Sequence, residues 1–264
     1  QPGALSDFGR SAVRAYTLAT TPPMAPVLLV LDAKLQKDAA DNPPGIPKIS
    51  LPKFPSADIE SVREIARFLL AAENPRINTG QVARTQEGLD LLVELAELLQ
   101  VPVNGVTNRL NFPSRHPLQG AGTGTPDLIL NLEPGSRVGT SPSSPRSTGR
   151  RSQMPDSENL TTITISSAEF LATSNFNVFG NGAGNADLVI AADAQSTLPA
   201  LIEEVRRLMT SDRKAFLQDR GTKIANAHLR ARRRTITDAR YGWNNSPVRL
   251  PRLAAEVWPH IKEL

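Results

Sequence analysis

The sequence predicts an α/β protein built around a doubly wound parallel sheet. Two observations predict this fold class. Short apolar segments recur along the chain, and longer segments with apolar residues at helical spacing alternate with them. Such alternation is typical of parallel strands joined by right-handed crossovers. We predict strands at residues 75–79, 101–106, 127–132, 160–165 and 187–191.

The predicted helices beside these strands each carry an apolar face. Ser56 is placed to cap the first of them. Two more are expected at residues 85–99, between the first two strands, and at residues 198–209, after the fifth. The apolar face of the first helix is formed by Ile59, Val62, Ile65, Ala66 and Leu69.

The two ends of the chain lie outside this alternation. Residues 7–20 predict a helix, and the apolar run at residues 26–31 predicts a buried strand. Residues 38–54 are rich in proline and lack periodicity, so we expect a linker and a domain boundary there. A basic helix is expected at residues 212–234, and a linker with a short helix at residues 244–264.

Composition restricts the chemistry. The chain has 264 residues, a formal net charge of +4 and no cysteine, which excludes disulfides, thiolate metal sites and cysteine nucleophiles. No apolar run approaches the roughly 20 residues that span a bilayer. We therefore expect a cytoplasmic chain with no membrane partner. Because the chain starts at Gln1 in what reads as a helix, we also expect a fragment or a processed product.

The turn after the first strand is one candidate ligand site. Gly80 and Arg84 lie between this strand and the next helix, where free amides, the helix dipole and a guanidinium could hold a phosphate. The full glycine pattern of dinucleotide-binding turns is missing. A glycine at a tight strand-to-helix turn is also a common steric requirement, and this interpretation stays open.

The loop after the second strand is another candidate. Arg109, Arg115 and His116 follow that strand, at the edge where open α/β sheets bind ligands. Alternatively, His116 bonds a backbone carbonyl and the arginines bridge domains or subunits. Both interpretations fit the sequence.

Other chemistry finds little support. The three histidines lie far apart, no serine stands in a Gly-x-Ser-x-Gly turn, and no metal-binding spacing occurs. Glu133 and Asp193 follow strands, where a carboxylate can bind a ribose or cap a helix. The basic residues at 206–234 could bind nucleic acid, but they lack stacking aromatics, so a solvated or subunit-facing helix is favoured.

Four segments together resemble the middle domain of thiamine-diphosphate-dependent enzymes of the acetolactate synthase and benzoylformate decarboxylase type. They are the apolar run at residues 25–32 before the proline-rich linker, residues 66–80, residues 92–103, and residues 112–118, which read Phe-Pro-Ser-Arg-His-Pro-Leu. Their order and spacing match as a set. The resemblance implies a Rossmann-like central domain.

The resemblance also implies a domain organisation. Residues 1–36 would be the C-terminal end of a pyrimidine-binding domain, residues 37–55 a linker and residues 56–210 the central α/β domain. Residues 211–264 would form the basic helix and the linker towards a diphosphate-binding domain that this chain lacks. The partners implied are the other domains or subunits of the parent enzyme, which would form a homo-oligomer.

In that family a glutamate early in the pyrimidine domain activates thiamine diphosphate, and a Gly-Asp-Gly segment that ends near an Asn-Asn pair holds the diphosphate and magnesium. No Gly-Asp-Gly occurs here, and Asn244-Asn245 lacks this upstream partner. We therefore expect the parent enzyme to use thiamine diphosphate and magnesium. We expect this chain alone to contain no catalytic residue and no metal ligand, and not to bind the cofactor.

In the acetolactate synthase branch the middle domain also carries FAD. Gly80 matches one glycine of the FAD-contacting turn, and residues 107–110, with Arg109, match the loop after the next strand. Asn78 and Thr79 replace neighbouring glycines, and Glu133-Pro134-Gly135 replaces an arginine-aspartate signature. These departures argue against FAD but leave Gly80, Arg84 and Arg109 as cofactor-binding candidates.

The sequence thus predicts a central-domain segment of an enzyme acting on 2-oxo acids or related carbonyl compounds, an acetolactate synthase-like lyase or transferase. Its role in this chain would be structural and in subunit contacts. The alternative is a freestanding nucleotide-binding module for FAD or an adenine nucleotide. A nucleic-acid-binding protein is a third hypothesis, with little support from the sequence.

Overall fold

The computed structural model of the protein describes residues 2, 4–22, 24, 26–37, 45, 47–105, 111–120, 122, 124–134, 160–167 and 186–262. The helices are α1 (Phe8–Thr20), α2 (Ala33–Lys37), α3 (Ile59–Ala71), α4 (Gln86–Leu99), α5 (Ala194–Leu208), α6 (Ser211–Arg240) and α7 (Leu250–Ile261). The strands are β1 (Pro75–Thr79), β2 (Val103–Gly105), β3 (Leu128–Leu132), β4 (Thr161–Ile165) and β5 (Leu188–Ile190).

The five strands form one parallel sheet in the order β2-β1-β3-β4-β5. This confirms the predicted α/β fold with a parallel sheet. All five predicted strands are present, and β1 has the predicted bounds. Strand β2 is shorter than predicted at its start, because the Val101 amide donates to the Ala96 carbonyl and so completes the turn that ends α4.

The two faces of the sheet differ in chemistry. One row across the strands is apolar and fully buried, and it contains Val103, Ile77, Leu130 and Ile163. The next row is polar, and its side chains are hydrogen-bonded to one another. Asn104 donates to Asn78, Asn78 to Asn131, and Asn131 to Thr164, over 3.4, 3.0 and 3.3 Å.

Helices α3, α4 and α5 form a layer against the apolar core, with α5 packed against both of the others. Burial of apolar side chains is the main force that holds such a layer. The fully buried side chains that the three helices contribute include Ile65 and Leu69 of α3, Leu92, Leu95 and Leu99 of α4, and Leu201 and Val205 of α5.

Side-chain caps define where these helices begin. The prediction that Ser56 caps α3 is wrong, because Asp58 occupies the cap and accepts from the Ser61 amide over 3.0 Å. Helix α3 therefore begins at Ile59. Thr85 caps α4 by accepting from the Gly88 amide, also over 3.0 Å. An Asp or Thr in this position satisfies an amide that has no partner within the helix.

The N-terminal segment departs from the prediction. Helix α1 forms as expected, but the run at residues 26–31 is not a strand. Leu28 is 85% exposed, and Val27 and Val30 are also exposed. No described strand pairs with this run, so its backbone lacks the hydrogen-bond ladder that defines a strand. The apolar run predicted that these side chains would be buried, but it did not specify which surface would cover them.

Helix α6 docks on the domain through buried arginine. Arg220 is 9% exposed and donates to backbone carbonyls at the ends of two helices. It bonds the carbonyls of Ala72 (3.3 Å) and Glu73 (2.9 Å) after α3, and those of Leu99 and Gln100 (3.2 Å) at the end of α4. Burial lowers the pKa of Arg220 to about 10, so the guanidinium stays charged at neutral pH.

Two neighbours fix the same contact. Leu217 is 2% exposed, and Gly221 lies so close to the Gln100 side chain that a Cβ atom would stand 1.9 Å from its Oε1 atom. The first half of the basic helix is therefore engaged with the domain.

Among the described helices, none is long and apolar enough to cross a bilayer.

We expect Arg220→Met to lower the free energy of unfolding by roughly 2–3 kcal/mol, because carbonyls at the ends of α3 and α4 lose a charged donor. Urea denaturation measures this change. Arg230→Met, an exposed arginine of the same helix, is the matched control and should leave the midpoint nearly unchanged. Equal stabilities for the two variants would contradict the docking contact.

Candidate functional site

The carboxyl edge of the sheet is the place where a parallel α/β fold presents a ligand site. The strand order reverses between β1 and β3, so the crevice between these two strands is the expected position. Gly80 follows β1 and Glu133 follows β3. Ser166 follows β4, and Asp193 precedes α5.

The crevice after β1 is closed by backbone. The Gly80 amide donates to the Leu132 carbonyl and the Gln81 amide to the Glu133 carbonyl, both over 2.9 Å. A Cβ atom on Gly80 would lie 1.8 Å from the Glu133 carbonyl oxygen. Close approach of the chain after β3 therefore accounts for this glycine, and both amides already have partners.

Arg84 is directed inward. Its Nη2 atom lies 2.6 Å from Oδ1 of Asp193, and the side chains of this ion pair are 9% and 0% exposed. The Arg84 amide donates to the Gln195 side chain over 2.8 Å, and its guanidinium lies 5.7 Å from the centre of the Phe54 ring. Arg84 thus links the turn before α4 to the start of α5.

Asp193 is a helix cap. Its Oδ2 atom accepts from the amide and the hydroxyl of Ser196, over 2.9 and 2.6 Å. The sequence left two roles open for this carboxylate, ribose binding and helix capping, and the structure shows the helix cap. A carboxylate at this position also interacts favourably with the positive end of the α5 dipole.

Glu133 is the most enclosed carboxylate at this edge, with 3% of its surface exposed. It accepts from the Ser167 amide (3.0 Å), the Ser167 hydroxyl (3.0 Å), the Ser166 hydroxyl (3.2 Å) and the Ala194 amide (3.2 Å). Burial raises the pKa of Glu133, and the charge of Asp193 raises it further, while the hydrogen bonds act in the opposite direction. Glu133 thereby joins β3, β4 and α5.

The loop after β2 folds back along the sheet edge. The Val103 amide donates to the Leu118 carbonyl, and the Gly120 amide donates to the Val103 carbonyl, both over 2.8 Å. Asn111 is buried, and its side-chain amide donates to the Thr79 carbonyl over 3.4 Å. Arg109 lies outside the described residues. The guanidinium of Arg115 lies 5.1 Å from the centre of the Trp258 ring of α7.

His116 lies beside the last turns of α4. Its Nδ1 atom accepts from the Leu118 amide over 3.2 Å, so in the neutral ring Nε2 carries the proton and donates to Glu97 at 3.1 Å. The backbone partner is an amide, not the carbonyl that the sequence suggested. Because α4 is 14 residues long, about 20 Å separates its two ends, and the structure does not bring His116 together with Arg84.

Two grooves lie away from the carboxyl edge of the sheet. A groove of about 480 Å³ lies between α4 and α6, and it adjoins one of about 520 Å³ beside His116. Glu94 and Arg206, on the walls of the first groove, form an ion pair with each other. Within the part of the chain that the structure describes, no group of three His, Cys, Asp or Glu side chains could hold a metal ion.

Sequence reasoning missed the partners of Glu133. Ser166 and Ser167 follow β4 directly, and a pair of hydroxyl residues at a strand end was the available signal. The cofactor-binding roles of Gly80, Arg84 and Arg109 stay a prediction. At the described positions, the Gly80 amide and the Arg84 guanidinium already have partners inside the chain.

We expect Gly80→Ala to destabilise the chain by about 3 kcal/mol, because the new methyl group collides with backbone that cannot move aside cheaply. Gly105→Ala, at the end of the neighbouring strand, is the matched control, since nothing lies within 4 Å of its Cβ position. Thermal unfolding of both variants distinguishes them. A Gly80→Ala variant as stable as Gly105→Ala would show that the crevice is open.

We expect Glu133→Gln to change how stability depends on pH. A raised pKa in the folded state means that ionisation of Glu133 opposes folding, so its contribution to stability falls as pH rises above its ordinary pKa. The variant lacks this loss, and its stability relative to the parent should increase by up to about 1.4 kcal/mol per pH unit in that window. Urea midpoints measured from pH 4 upwards test this, and a difference that shrinks as pH rises would contradict it.

Comparison with known proteins supports the fold. No family model matches the chain, and no curated protein matches it. Solved structures do match. An enzyme from Mycobacterium smegmatis assigned to the thiamin diphosphate-dependent class is 23% identical with a TM-score of 0.54, and the match covers 77% of this chain and 38% of that enzyme.

Two decarboxylases give similar values. Benzoylformate decarboxylase from Polynucleobacter necessarius is 23% identical, with a TM-score of 0.51 over 79% of this chain and 37% of its own. The thiamine diphosphate-dependent 4-hydroxybenzoylformate decarboxylase from Rhodococcus jostii RHA1 is 19% identical, with a TM-score of 0.51 over 78% and 38%. The chain therefore spans less than two fifths of these enzymes, and it has the α/β fold found in thiamine diphosphate-dependent enzymes.

Proposed function

We propose that this chain is the central-domain segment of a thiamine-diphosphate-dependent enzyme that acts on 2-oxo acids or related carbonyl compounds, in the manner of acetolactate synthase. Its own role is structural: it spaces the two cofactor-binding domains and contributes subunit contacts in a cytoplasmic homo-oligomer. The observation that carries this proposal is the closed carboxyl edge of the sheet.

Closure of that edge leaves little for a dinucleotide to bind. The amides of Gly80 and Gln81 are bonded to the chain after β3, and Arg84 is paired with Asp193. The first turn of α5 already receives the Glu133 carboxylate through the Ala194 amide. These contacts argue against FAD at the described residues and against the alternative of a freestanding nucleotide-binding module.

The residues present do not fit thiamine diphosphate and magnesium either. The described residues contain no cluster of metal ligands, and the Gly-Asp-Gly segment of the family is absent from the sequence. Thiamine diphosphate, when bound by a parent enzyme, would supply a nucleophilic ylid carbon for the substrate carbonyl and a thiazolium ring that stabilises the resulting carbanion. We assign no step of that chemistry to a residue of this chain.

The ends of the chain support a role in contacts. Helices α1 and α7 contain no buried residue, although both have an apolar face. Exposed apolar side chains at the two ends include Phe8, Tyr16 and Leu18 of α1 and Leu250, Leu253 and Val257 of α7. Apolar surface of this kind marks a site of association. We propose that other domains or subunits of the parent enzyme cover these faces.

Calorimetric titration of this chain tests the proposal. We expect no saturable heat with thiamine diphosphate and Mg²⁺, with FAD or with ADP, because the sheet edge is closed. The coding sequence on either side and the intact mass of the native polypeptide should then reveal the other two α/β domains.

Saturable binding of FAD or ADP by the chain would contradict this proposal. If Arg84→Ala abolished that binding and Arg14→Ala, an exposed control on α1, did not, the nucleotide-binding module would be the correct function. A native polypeptide without neighbouring domains would also overturn the enzyme-segment assignment.

A further inference from the structure

The carboxylate of Glu133 is bound like a ligand. Four donors converge on it, namely the amides of Ser167 and Ala194 and the hydroxyls of Ser166 and Ser167. Ser166 and Ser167 are each 3% exposed, and Ala194 is fully buried. The donors come from the end of β4 and from the first turn of α5, whereas the carboxylate comes from the end of β3. The pocket and its occupant thus belong to different elements.

The charged groups nearby do not account for this arrangement. Asp193 and Arg84 pair with each other, and within the described residues neither of them makes another ion pair. Hydroxyls, backbone amides and the positive end of the α5 dipole therefore provide the attraction for the carboxylate. Such donors are not specific to a glutamate side chain and suit any small carboxylate of similar shape.

We propose that Ser166, Ser167 and the first turn of α5 form a carboxylate-binding pocket, which Glu133 occupies as a tethered ligand and which binds a free monocarboxylate once that side chain is removed. The inference rests on the proposed function, since it explains why the sheet edge is closed to anionic ligands. The side chain of glutamate beyond its Cα atom has the shape of propionate, so propionate is the best free ligand.

The tether explains why an outside anion does not compete. A group linked to its site acts at an effective concentration of the order of millimolar or more, without losing the translational freedom of a free ligand. Glu133 also has a φ angle of 43°, in the left-handed region that favours glycine. Glu133→Gly therefore removes the occupant and at the same time relieves the backbone, which leaves the pocket as the principal change.

The experiment is a propionate titration of the Glu133→Gly variant, and binding is monitored by thermal unfolding and by NMR of ¹³C-labelled propionate. A tenfold excess over the dissociation constant should raise the folded-to-unfolded ratio about elevenfold, which corresponds to a rise of roughly 3 °C in Tm. Acetate should bind more weakly. Because burial raises the pKa of a carboxyl group in this pocket, propionate binding should strengthen as the pH is lowered towards the ordinary pKa of the carboxyl group.

Three controls accompany this titration. The parent chain, in which the pocket is occupied, should show no saturable shift, and neither should Glu87→Gly, which removes a carboxylate from the first turn of α4. Sodium chloride at equal ionic strength corrects for general salt effects. Ser167→Ala in the Glu133→Gly background removes one donor and should weaken propionate binding by about tenfold.

Equal responses of the Glu133→Gly variant, the parent and the Glu87→Gly control would overturn the proposal. If the Glu133→Gly variant does not fold alone, propionate must restore its circular dichroism on refolding while propionamide must not, and failure of this rescue counts against the pocket equally. The outcome is separate from the proposed function. Propionate binding together with FAD binding by the parent would support the pocket and contradict the structural role.

Discussion

The close backbone approach at the end of β1 is the constraint on which the carboxyl edge depends. Strand β1 is paired on both sides, with β2 and β3, and the chain after β3 passes directly over Gly80. A parallel sheet normally leaves a crevice at this position, where the strand order reverses. Here the backbone fills that crevice, and the side chain of Glu133 is directed away from it, towards β4 and α5. The backbone approach at Gly80 therefore closes the crevice between β1 and β3, and the Glu133 side chain occupies the neighbouring space towards β4 and α5.

Side chains of opposite charge bond the backbone groups at helix ends on the two opposite edges of the sheet. At the carboxyl edge, Asp193 and Glu133 accept from amides at the start of α5. At the amino edge, Arg220 donates to carbonyls at the ends of α3 and α4. Helix ends leave these backbone groups without partners inside the helix, and buried ones are costly if they remain so. The charged side chains thus stabilise the layer at both ends while carrying no evident chemistry.

Local patterns predicted the fold well because burial in a parallel sheet leaves a strong signal. The five strands and the three helices of the layer follow from apolar runs and helical spacing. The run at residues 26–31 was predicted wrongly, because an apolar pattern does not specify its partner surface. The contact of Glu133 with Ser167 was missed, since it joins residues 34 positions apart and the pair of hydroxyl residues after β4 does not by itself specify its partner. His116 was predicted at the ligand-binding edge of the sheet but lies beside the last turns of α4, because the path of its loop depends on backbone hydrogen bonds to Val103.

The docking of α6 by Arg220 has a mechanical consequence. Twenty residues of helix follow Arg220 before α6 ends at Arg240, which is about 30 Å of rigid rod. A tilt of roughly 5° at the docked end would displace the far end by about 3 Å, a distance comparable to a hydrogen bond. The contact of one guanidinium with four carbonyls therefore fixes the direction of α6. The rigidity of this contact determines how accurately the residues that follow Arg240 are positioned.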